Sequence, residues 1–207
     1  MSMSNYVITI ARGYGSGGKT IGKMLAKELG IAYYDRDLIR MASEDSGINE
    51  SLFGLADERA RGGLFRKKGE YREEPLAPDS GEFVSDDNLF NYQAKIIKEL
   101  AEKESCIIVG RCADYILRER SNVVRVFIYA PREACILNVV DMYGMSPKEA
   151  EKLIEKTDRS RSDYYKYYTG QNWDNARNYE LCLDSGGLGF QKCANIIREY
   201  MKIKFND

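Results

Sequence analysis

The fold of this 207-residue chain is decided by Gly13-Tyr14-Gly15-Ser16-Gly17-Gly18-Lys19-Thr20. The stretch matches the phosphate-binding loop pattern G-x-x-x-x-G-K-[ST] at every fixed position. Glycines let successive backbone N–H groups point into one concavity, where they bind phosphate oxygens. Lys19 can then reach the β- and γ-phosphates, and the Thr20 hydroxyl can ligate Mg²⁺. We therefore expect ATP and Mg²⁺ to be held by Gly13, Gly15, Ser16, Gly17, Gly18, Lys19 and Thr20.

The residues on either side of this loop have the pattern that the motif needs. Tyr6–Ala11 is a short apolar, β-branched run, which is typical of a buried strand. After the loop, Ile21, Met24, Leu25 and Leu29 fall at helical spacing, and Gly30 follows as a stop signal. The order strand, glycine loop, helix predicts a phosphate-binding loop rather than an ordinary turn.

The rest of the chain alternates apolar runs with helical patterns. Further strands are predicted at 31–34, 106–109, 123–129 and 179–184. Apolar runs without alternation are typical of a parallel sheet that is covered on both faces. We therefore predict a three-layer α/β P-loop fold in one domain, with a five-stranded parallel sheet flanked by helices. Ligands of such folds lie at the carboxyl ends of the strands.

Composition excludes several classes of function. The net charge of −1 gives no overall field for nucleic acid, and no run approaches the length of a membrane span. The N-terminus lacks the apolar core of a signal peptide, and the five cysteines form no C-x-x-C pair. The sequence thus favours a cytoplasmic protein that contacts neither membrane nor nucleic acid. The absence of histidine excludes a histidine base or triad, whereas phosphoryl transfer needs neither.

Residues 61–88 differ from the rest of the chain. They are rich in Gly, Pro and charges and hold few large apolar groups. A long run of this kind is typical of a functional arm or of a mobile surface insertion, and the pattern does not separate the two.

Three arginines favour phosphoryl transfer over other P-loop chemistry. Arg111 follows the third predicted strand, and Arg159 and Arg161 come at the predicted end of a helix that starts at the capping box Ser146–Glu149. Arginine holds phosphate bidentately and keeps its charge. The alternative is that Arg159 and Arg161 are solvated beside Asp158 and Asp163.

The tyrosines at 164, 165, 167 and 168 follow in a predicted loop, where they either pack against the core or stack on a base.

Taken together, these patterns resemble bacterial cytidylate kinases, and more closely the cytidylate kinase-like family. The resemblance covers nearly the whole chain except 61–88. It implies a core with an acceptor-binding arm at about 36–90 and a lid at about 145–175. It is carried by Arg12 to Gly18, Tyr34-Asp35-Arg36-Asp37-Leu38-Ile39, Val109-Gly110-Arg111, Asp158-Arg159-x-Arg161, Tyr164 to Trp173 and Leu183-Asp184-Ser185.

The resemblance also implies roles for individual residues. Lys19, Arg159 and Arg161 are expected to be catalytic, and the turn from Asp184 to Gly187 is expected near the donor adenine. Acceptor-binding residues are expected to be Asp35, Arg36, Arg40 and Arg111.

The chain departs from the cytidylate kinase pattern at three of these places. Arg36 and Asp37 stand where that family has Ser-Gly, and Arg40 lies one residue earlier than the helical arginine of that family. Val109 stands where that family has an aspartate at the tip of strand three, so that Asp35 and Asp114 are the carboxylates that could take its place near Mg²⁺. Ser160 stands where a second aspartate is aligned.

The resulting hypothesis is a monomeric or homodimeric kinase that transfers the γ-phosphoryl group of ATP to a small acceptor, with CMP as the leading candidate. A nucleotide-binding regulatory protein with lost or altered catalysis is the main alternative, and a plain NTPase is the third.

Overall fold

A computed structural model of the chain describes residues 5–60 and 71–205. The strands are β1 (Val7–Arg12), β2 (Ala32–Tyr34), β3 (Cys106–Val109), β4 (Val123–Tyr129) and β5 (Leu181–Asp184). The helices are α1 (Gly18–Leu29), α2 (Asp37–Ser46), α3 (Glu50–Ala60), α4 (Asp86–Lys103), α5 (Ala113–Ile116), α6 (Arg132–Tyr143), α7 (Pro147–Thr169), α8 (Ser185–Leu188) and α9 (Phe190–Phe205). None of the helices in these two ranges is both long and apolar enough to cross a membrane.

The strands form one sheet in the order β2-β3-β1-β4-β5, and every neighbouring pair is parallel. The predicted five-stranded parallel sheet is therefore confirmed. Strand β1 lies at the centre, so the loop that follows it is flanked by the tips of β3 and β4. This order brings the phosphate-binding loop next to Gly110 and Arg111.

Helices cover the sheet on both faces. One apolar core joins the sheet to α2, α3, α4, α5 and α7, and includes Leu38, Phe53, Phe90 and Ile108. The other lies between the sheet and helices α1 and α9, and includes Ile10, Leu25 and Ile197. Because both faces are buried, the strands need no polar alternation, which explains the continuous apolar runs.

Helix α7 is longer than the sequence pattern predicts. It begins at the predicted capping box, where Ser146 accepts a hydrogen bond from the Glu149 N–H, and it continues to Thr169. The predicted helix end near Arg159 and the tyrosine-rich loop after it are therefore wrong. Tyr165 and Tyr168 are buried, and the Tyr168 ring stacks on Phe90 with 3.9 Å between the ring centroids. The tyrosines thus pack α7 against the core.

Of the described part of the predicted insertion, residues 71–85 have no helix or strand but are attached to α4, and residues 86–88 are the first residues of that helix. The Leu76 N–H donates to Asn88 Oδ1 at 2.7 Å, and the Arg72 N–H donates to Asn91 Oδ1 at 3.0 Å. Both asparagines are buried, so their side chains replace the backbone partners that a strand would supply. Residues 61–70 of the predicted insertion lie outside the described residues.

Gly15 and Gly30 allow a test of how tightly the phosphate-binding loop is packed. Both have positive φ, of 81° and 66°. A Cβ atom on Gly15 would lie 2.6 Å from the Cys135 carbonyl oxygen, whereas one on Gly30 would have nothing within 4 Å. We expect Gly30→Ala to cost about 1–2 kcal/mol for the left-handed conformation. Gly15→Ala should cost at least about 1 kcal/mol more, since backbone must also move.

Urea unfolding of the two variants without nucleotide measures this difference. Equal destabilisation by the two substitutions would contradict the tight packing of the loop against α6.

Candidate nucleotide-binding site

A cavity of about 580 Å³ opens at the carboxyl ends of the strands. Its walls come from the phosphate-binding loop, the tips of β2 and β3, and the facing sides of α6 and α7. Most of the predicted site residues line it, namely Gly13, Gly15, Gly17, Gly18, Lys19, Thr20, Asp35, Arg36, Arg111 and Arg161. Ser16 is not part of the cavity wall. Its side chain is buried, and its hydroxyl donates to the Gly13 carbonyl oxygen at 2.8 Å.

The phosphate-binding loop is held in shape from outside by two other elements. The Asn138 side-chain amide on α6 donates to the Gly15 carbonyl oxygen at 2.8 Å. The Ser185 hydroxyl lies 2.6 Å from the Ser16 carbonyl oxygen. Because these bonds occupy carbonyl oxygens, they orient the peptide planes of the loop without consuming its N–H groups. The loop is therefore organised before any phosphate binds.

Lys19 forms an ion pair with Asp35, with 2.5 Å between Nζ and Oδ2. Asp35 directly follows the last residue of β2, Tyr34, and its side chain is 18% exposed. The carboxylate thus holds the lysine at the cavity wall while the lysine keeps nearly half of its side-chain surface accessible. Incoming phosphate oxygens would meet a lysine that is already positioned.

The tip of β3 turns through three consecutive left-handed residues. Gly110, Arg111 and Cys112 have φ values of 78°, 58° and 55°. This conformation is unfavourable for the two residues that carry a Cβ atom, and such strain is typical of functional sites. The turn brings Arg111 into the cavity wall beside the phosphate-binding loop.

Helix α7 contacts the phosphate-binding loop through two side chains. Asp158 accepts a hydrogen bond from the Tyr14 N–H at 2.8 Å, and Arg161 donates to the Arg12 carbonyl oxygen at 3.0 Å. The two side chains also pair, with 3.3 Å between Arg161 Nη1 and Asp158 Oδ1. Burial raises the pKa of Asp158 and lowers the pKa of Arg161, and their mutual attraction opposes both shifts.

Two predicted site residues lie away from the cavity. Arg159 is exposed on α7, because it is two residues from Arg161 and therefore on another face of the helix. Arg40 on α2 is exposed and pairs with Glu44 at 2.8 Å. The structure thus brings Arg161 and Arg111 to the site but neither Arg159 nor Arg40.

Sequence reasoning missed Arg12 as a site residue. Its side chain lines the cavity, is 13% exposed and lies 3.7 Å from Asp35 Oδ1. Arg12 directly precedes the motif, whose fixed positions begin at Gly13, and a charged residue at the end of an otherwise apolar strand was the available signal.

Charge is concentrated at this cavity although the whole chain is nearly neutral. Among the described residues, its wall carries five cationic side chains and three carboxylates. The cations are Arg12, Lys19, Arg36, Arg111 and Arg161, and the carboxylates are Asp35, Asp114 and Asp141. Such an excess of positive charge favours anionic ligands.

Asp114 at the start of α5 is buried and accepts a hydrogen bond from the Tyr165 hydroxyl at 2.6 Å. Burial raises the pKa of Asp114 to about 6, against the opposing effect of the Tyr165 hydrogen bond. Its carboxylate is committed to Tyr165 and to backbone N–H groups of α5. Asp35, which adjoins Lys19, is therefore the better placed of the two carboxylates for a metal ion.

The raised pKa of Asp114 predicts a pH dependence of stability. Between about pH 4 and pH 6 the folded state keeps the Asp114 proton that the unfolded state releases. The contribution of Asp114 to the free energy of unfolding therefore falls as the pH rises through its folded pKa. Asp114→Asn removes the titration but keeps an acceptor for Tyr165. We expect the free energy of unfolding of the wild type, relative to that of this variant, to rise by about 1–1.5 kcal/mol when the pH is lowered from 7.5 to 5.

Urea unfolding of both proteins at the two pH values gives this difference, in which the titrations of all other groups cancel. A difference that is the same at pH 7.5 and pH 5 would contradict the raised pKa.

Solved structures share this architecture over nearly the whole chain. An uncharacterized protein from Eubacterium ventriosum is 26% identical, with a TM-score of 0.70 and coverage of 96% of this chain and 99% of that chain. A gluconokinase from Sinorhizobium meliloti is 12% identical, with a TM-score of 0.53 and coverage of 99% and 98%. A shikimate kinase from Bacteroides thetaiotaomicron is 14% identical, with a TM-score of 0.52 and coverage of 95% and 98%.

The two kinases are similar to this chain in fold alone, and a search of curated protein sequences finds no match. The sequence profile of the cytidylate kinase-like family matches residues 7–187, which include every strand and the whole cavity wall except Phe190. The chain therefore belongs to the cytidylate kinase-like family, a family of P-loop kinase fold.

Proposed function

We propose that this protein transfers the γ-phosphoryl group of ATP to a small phosphorylated acceptor, with CMP as the first candidate. The observation that carries the proposal is the meeting of Lys19 with Arg111 and Arg161 in one cavity. Lysine in a phosphate-binding loop serves the donor phosphates, whereas arginines at two other walls offer bidentate sites for a second phosphate. A plain NTPase needs only water as acceptor and has no use for a second such site.

The proposed step needs no side chain that removes a proton. An oxygen of the acceptor phosphate dianion attacks the γ-phosphorus, the bond from that phosphorus to the β–γ bridging oxygen breaks, and ADP leaves. Negative charge spreads over the equatorial oxygens in the transition state, where lysine and arginine stabilise it. This fits a chain that has no histidine.

The donor would be Mg·ATP, with the metal entering as part of the substrate. Among the described residues, no group of three or more His, Cys, Asp or Glu side chains forms a metal cluster. Mg²⁺ in such sites takes most ligands from phosphate and water and only one or two from protein. The Thr20 hydroxyl and the Asp35 carboxylate, both on the cavity wall, are suited to supply these.

A hydroxyl acceptor is the competing substrate class, since the structural neighbours include a shikimate kinase and a gluconokinase. A hydroxyl must lose a proton during transfer, and Asp35 is the carboxylate nearest Lys19 that could accept it. The surplus of arginine favours the phosphorylated acceptor, because a phosphate dianion neutralises more of that charge than the single carboxylate of shikimate or gluconate.

An ATP-consumption assay with all nucleoside monophosphates, shikimate and gluconate tests the function. We expect ADP formation that depends on the acceptor, is highest with a nucleoside monophosphate, and is lost in Lys19→Ala. Tight Mg·ATP binding without stimulation by any acceptor would refute the kinase and favour a nucleotide-binding regulator. ADP formation that no acceptor changes would favour an NTPase.

Arg161 and Arg159 form a matched pair for testing the transfer step. Arg161 contacts the loop, whereas Arg159 has the same charge, lies two residues away and is exposed. We expect Arg161→Ala to lower kcat by about 10²-fold or more, because a cation near the transferring group is lost. Arg159→Ala should change kcat by less than about 3-fold, because exposed charges interact weakly.

Steady-state kinetics of both variants, with Mg·ATP affinity measured by calorimetry, separate catalysis from binding. Equal losses of kcat in the two variants would show that Arg159 also acts in transfer.

A further inference from the structure

The Arg12 side chain packs closely against two glycines, Gly18 and Gly110. Arg12 is the last residue of β1, and its side chain runs past Gly18 to end beneath Gly110. A Cβ atom on Gly18 would lie 2.6 Å from Arg12 Cβ and 3.0 Å from Cγ, and one on Gly110 would meet Nη1. Two positions without side chains, from different elements, therefore leave room for this one guanidinium.

One buried donor of the Arg12 guanidinium lacks the partner that a buried polar group requires. Its Nε atom is buried and has no hydrogen-bond partner within residues 5–60 and 71–205. The nearest carboxylate oxygen, Asp35 Oδ1, lies 3.7 Å from Nη2, which is too far for a hydrogen bond. Leaving a buried donor unsatisfied costs about 1–3 kcal/mol or more, and retaining it indicates a ligand that supplies the acceptor.

Neighbouring charges increase this cost. Burial, and the guanidinium groups of Arg161 and Arg111, lower the pKa of Arg12 to about 9, and the attraction of Asp35 offsets only part of this. The group still carries its charge at neutral pH. Three guanidinium groups therefore lie within electrostatic reach of one another, and a doubly charged anion would neutralise them most effectively.

Asp35 contacts Lys19 and Arg12 through different oxygens of its carboxylate. Lys19 binds Oδ2 of the carboxylate, whereas Arg12 faces Oδ1. Lysine in a phosphate-binding loop contacts the β- and γ-phosphates of the donor, so we assign the side of Asp35 that faces Lys19 to the donor. The side that Arg12 occupies, with Arg111 and Arg161, is left for a different phosphate.

We propose that Arg12 is an acceptor-binding and specificity-determining residue, whose guanidinium binds the dianionic phosphate group of the acceptor. This proposal rests on the transfer function above, and it assigns to the residue before the loop the choice of a phosphate-bearing acceptor over an uncharged hydroxyl. Arg111 and Arg161 complete the site from β3 and α7.

The test measures phosphate binding without turnover. The wild type, Arg12→Met and Arg12→Lys are saturated with Mg²⁺ and the non-hydrolysable ATP analogue AMPPNP, and inorganic phosphate is then titrated by calorimetry. Arg159→Met serves as the matched control, because it removes an exposed arginine outside the cavity. Methionine keeps much of the length of the arginine stem, so that the space between Gly18 and Gly110 stays filled.

We expect phosphate to bind the nucleotide-saturated wild type and the Arg159→Met control with equal affinity. Arg12→Met should weaken phosphate at least about 10-fold, the loss of one charge-assisted bidentate contact, while the AMPPNP affinity changes less than about 3-fold. Arg12→Lys, which keeps the charge but loses the fork, should lie between them. In turnover, the acceptor KM should rise in parallel while the KM for ATP stays constant.

Three results would overturn the proposal: no phosphate binding to the saturated wild type, unchanged phosphate affinity in Arg12→Met, or parallel loss of AMPPNP and phosphate affinity. The last would mean that Arg12 supports the loop as a whole. If Arg12→Met does not fold, Arg12→Lys decides by the same comparison. Phosphate binding that depends on Arg12, together with no transfer to any acceptor, would refute the kinase function and the acceptor role, and would leave Arg12 as a phosphate-binding residue only.

Discussion

Cationic side chains that share one cavity repel one another, and the arrangement at the carboxyl ends of the strands offsets part of this repulsion. Asp35 stands between Lys19 and Arg12, and Asp158 pairs with Arg161. The two carboxylates come from different elements, the tip of β2 and the middle of α7. Burial still lowers the pKa values of Arg12 and Arg161, so the offset is partial. The remaining positive charge is what an anionic ligand would neutralise.

Helix α7 connects the apolar core to this charged site, because it contacts both. Asp158, Arg161, Tyr165 and Tyr168 follow one another at spacings of three or four residues and therefore share one side of the helix. The first two contact the phosphate-binding loop, and the last two pack on Asp114 and Phe90. A continuous helix fixed at its buried end holds Arg161 without the entropy cost of ordering a loop.

The sequence predicted the features that depend on short-range pattern. The phosphate-binding loop and the five parallel strands are read from local residue types, and the structure has them where they were expected. Arg159 could not be separated from Arg161 because the helix was expected to end there. Once α7 continues to Thr169, helical periodicity alone separates their faces. Arg40 also lies outside the cavity wall, and its direction depends on how α2 packs against the core, which residue types alone do not determine.

The sequence offered only a weak signal for Arg12, because residues from separate elements define its surroundings. The side chain is accommodated by Gly18, which the loop motif fixes for phosphate, and by Gly110, which the β3 tip needs for its left-handed turn. The same glycine that lets the chain turn Arg111 into the cavity therefore also admits the guanidinium of Arg12 beneath it. A side chain at position 110 would have two effects: it would strain the left-handed turn, and it would displace the Arg12 guanidinium. One backbone position thus couples two of the three arginines, which explains why the charge cluster and the strained turn occur at the same strand end.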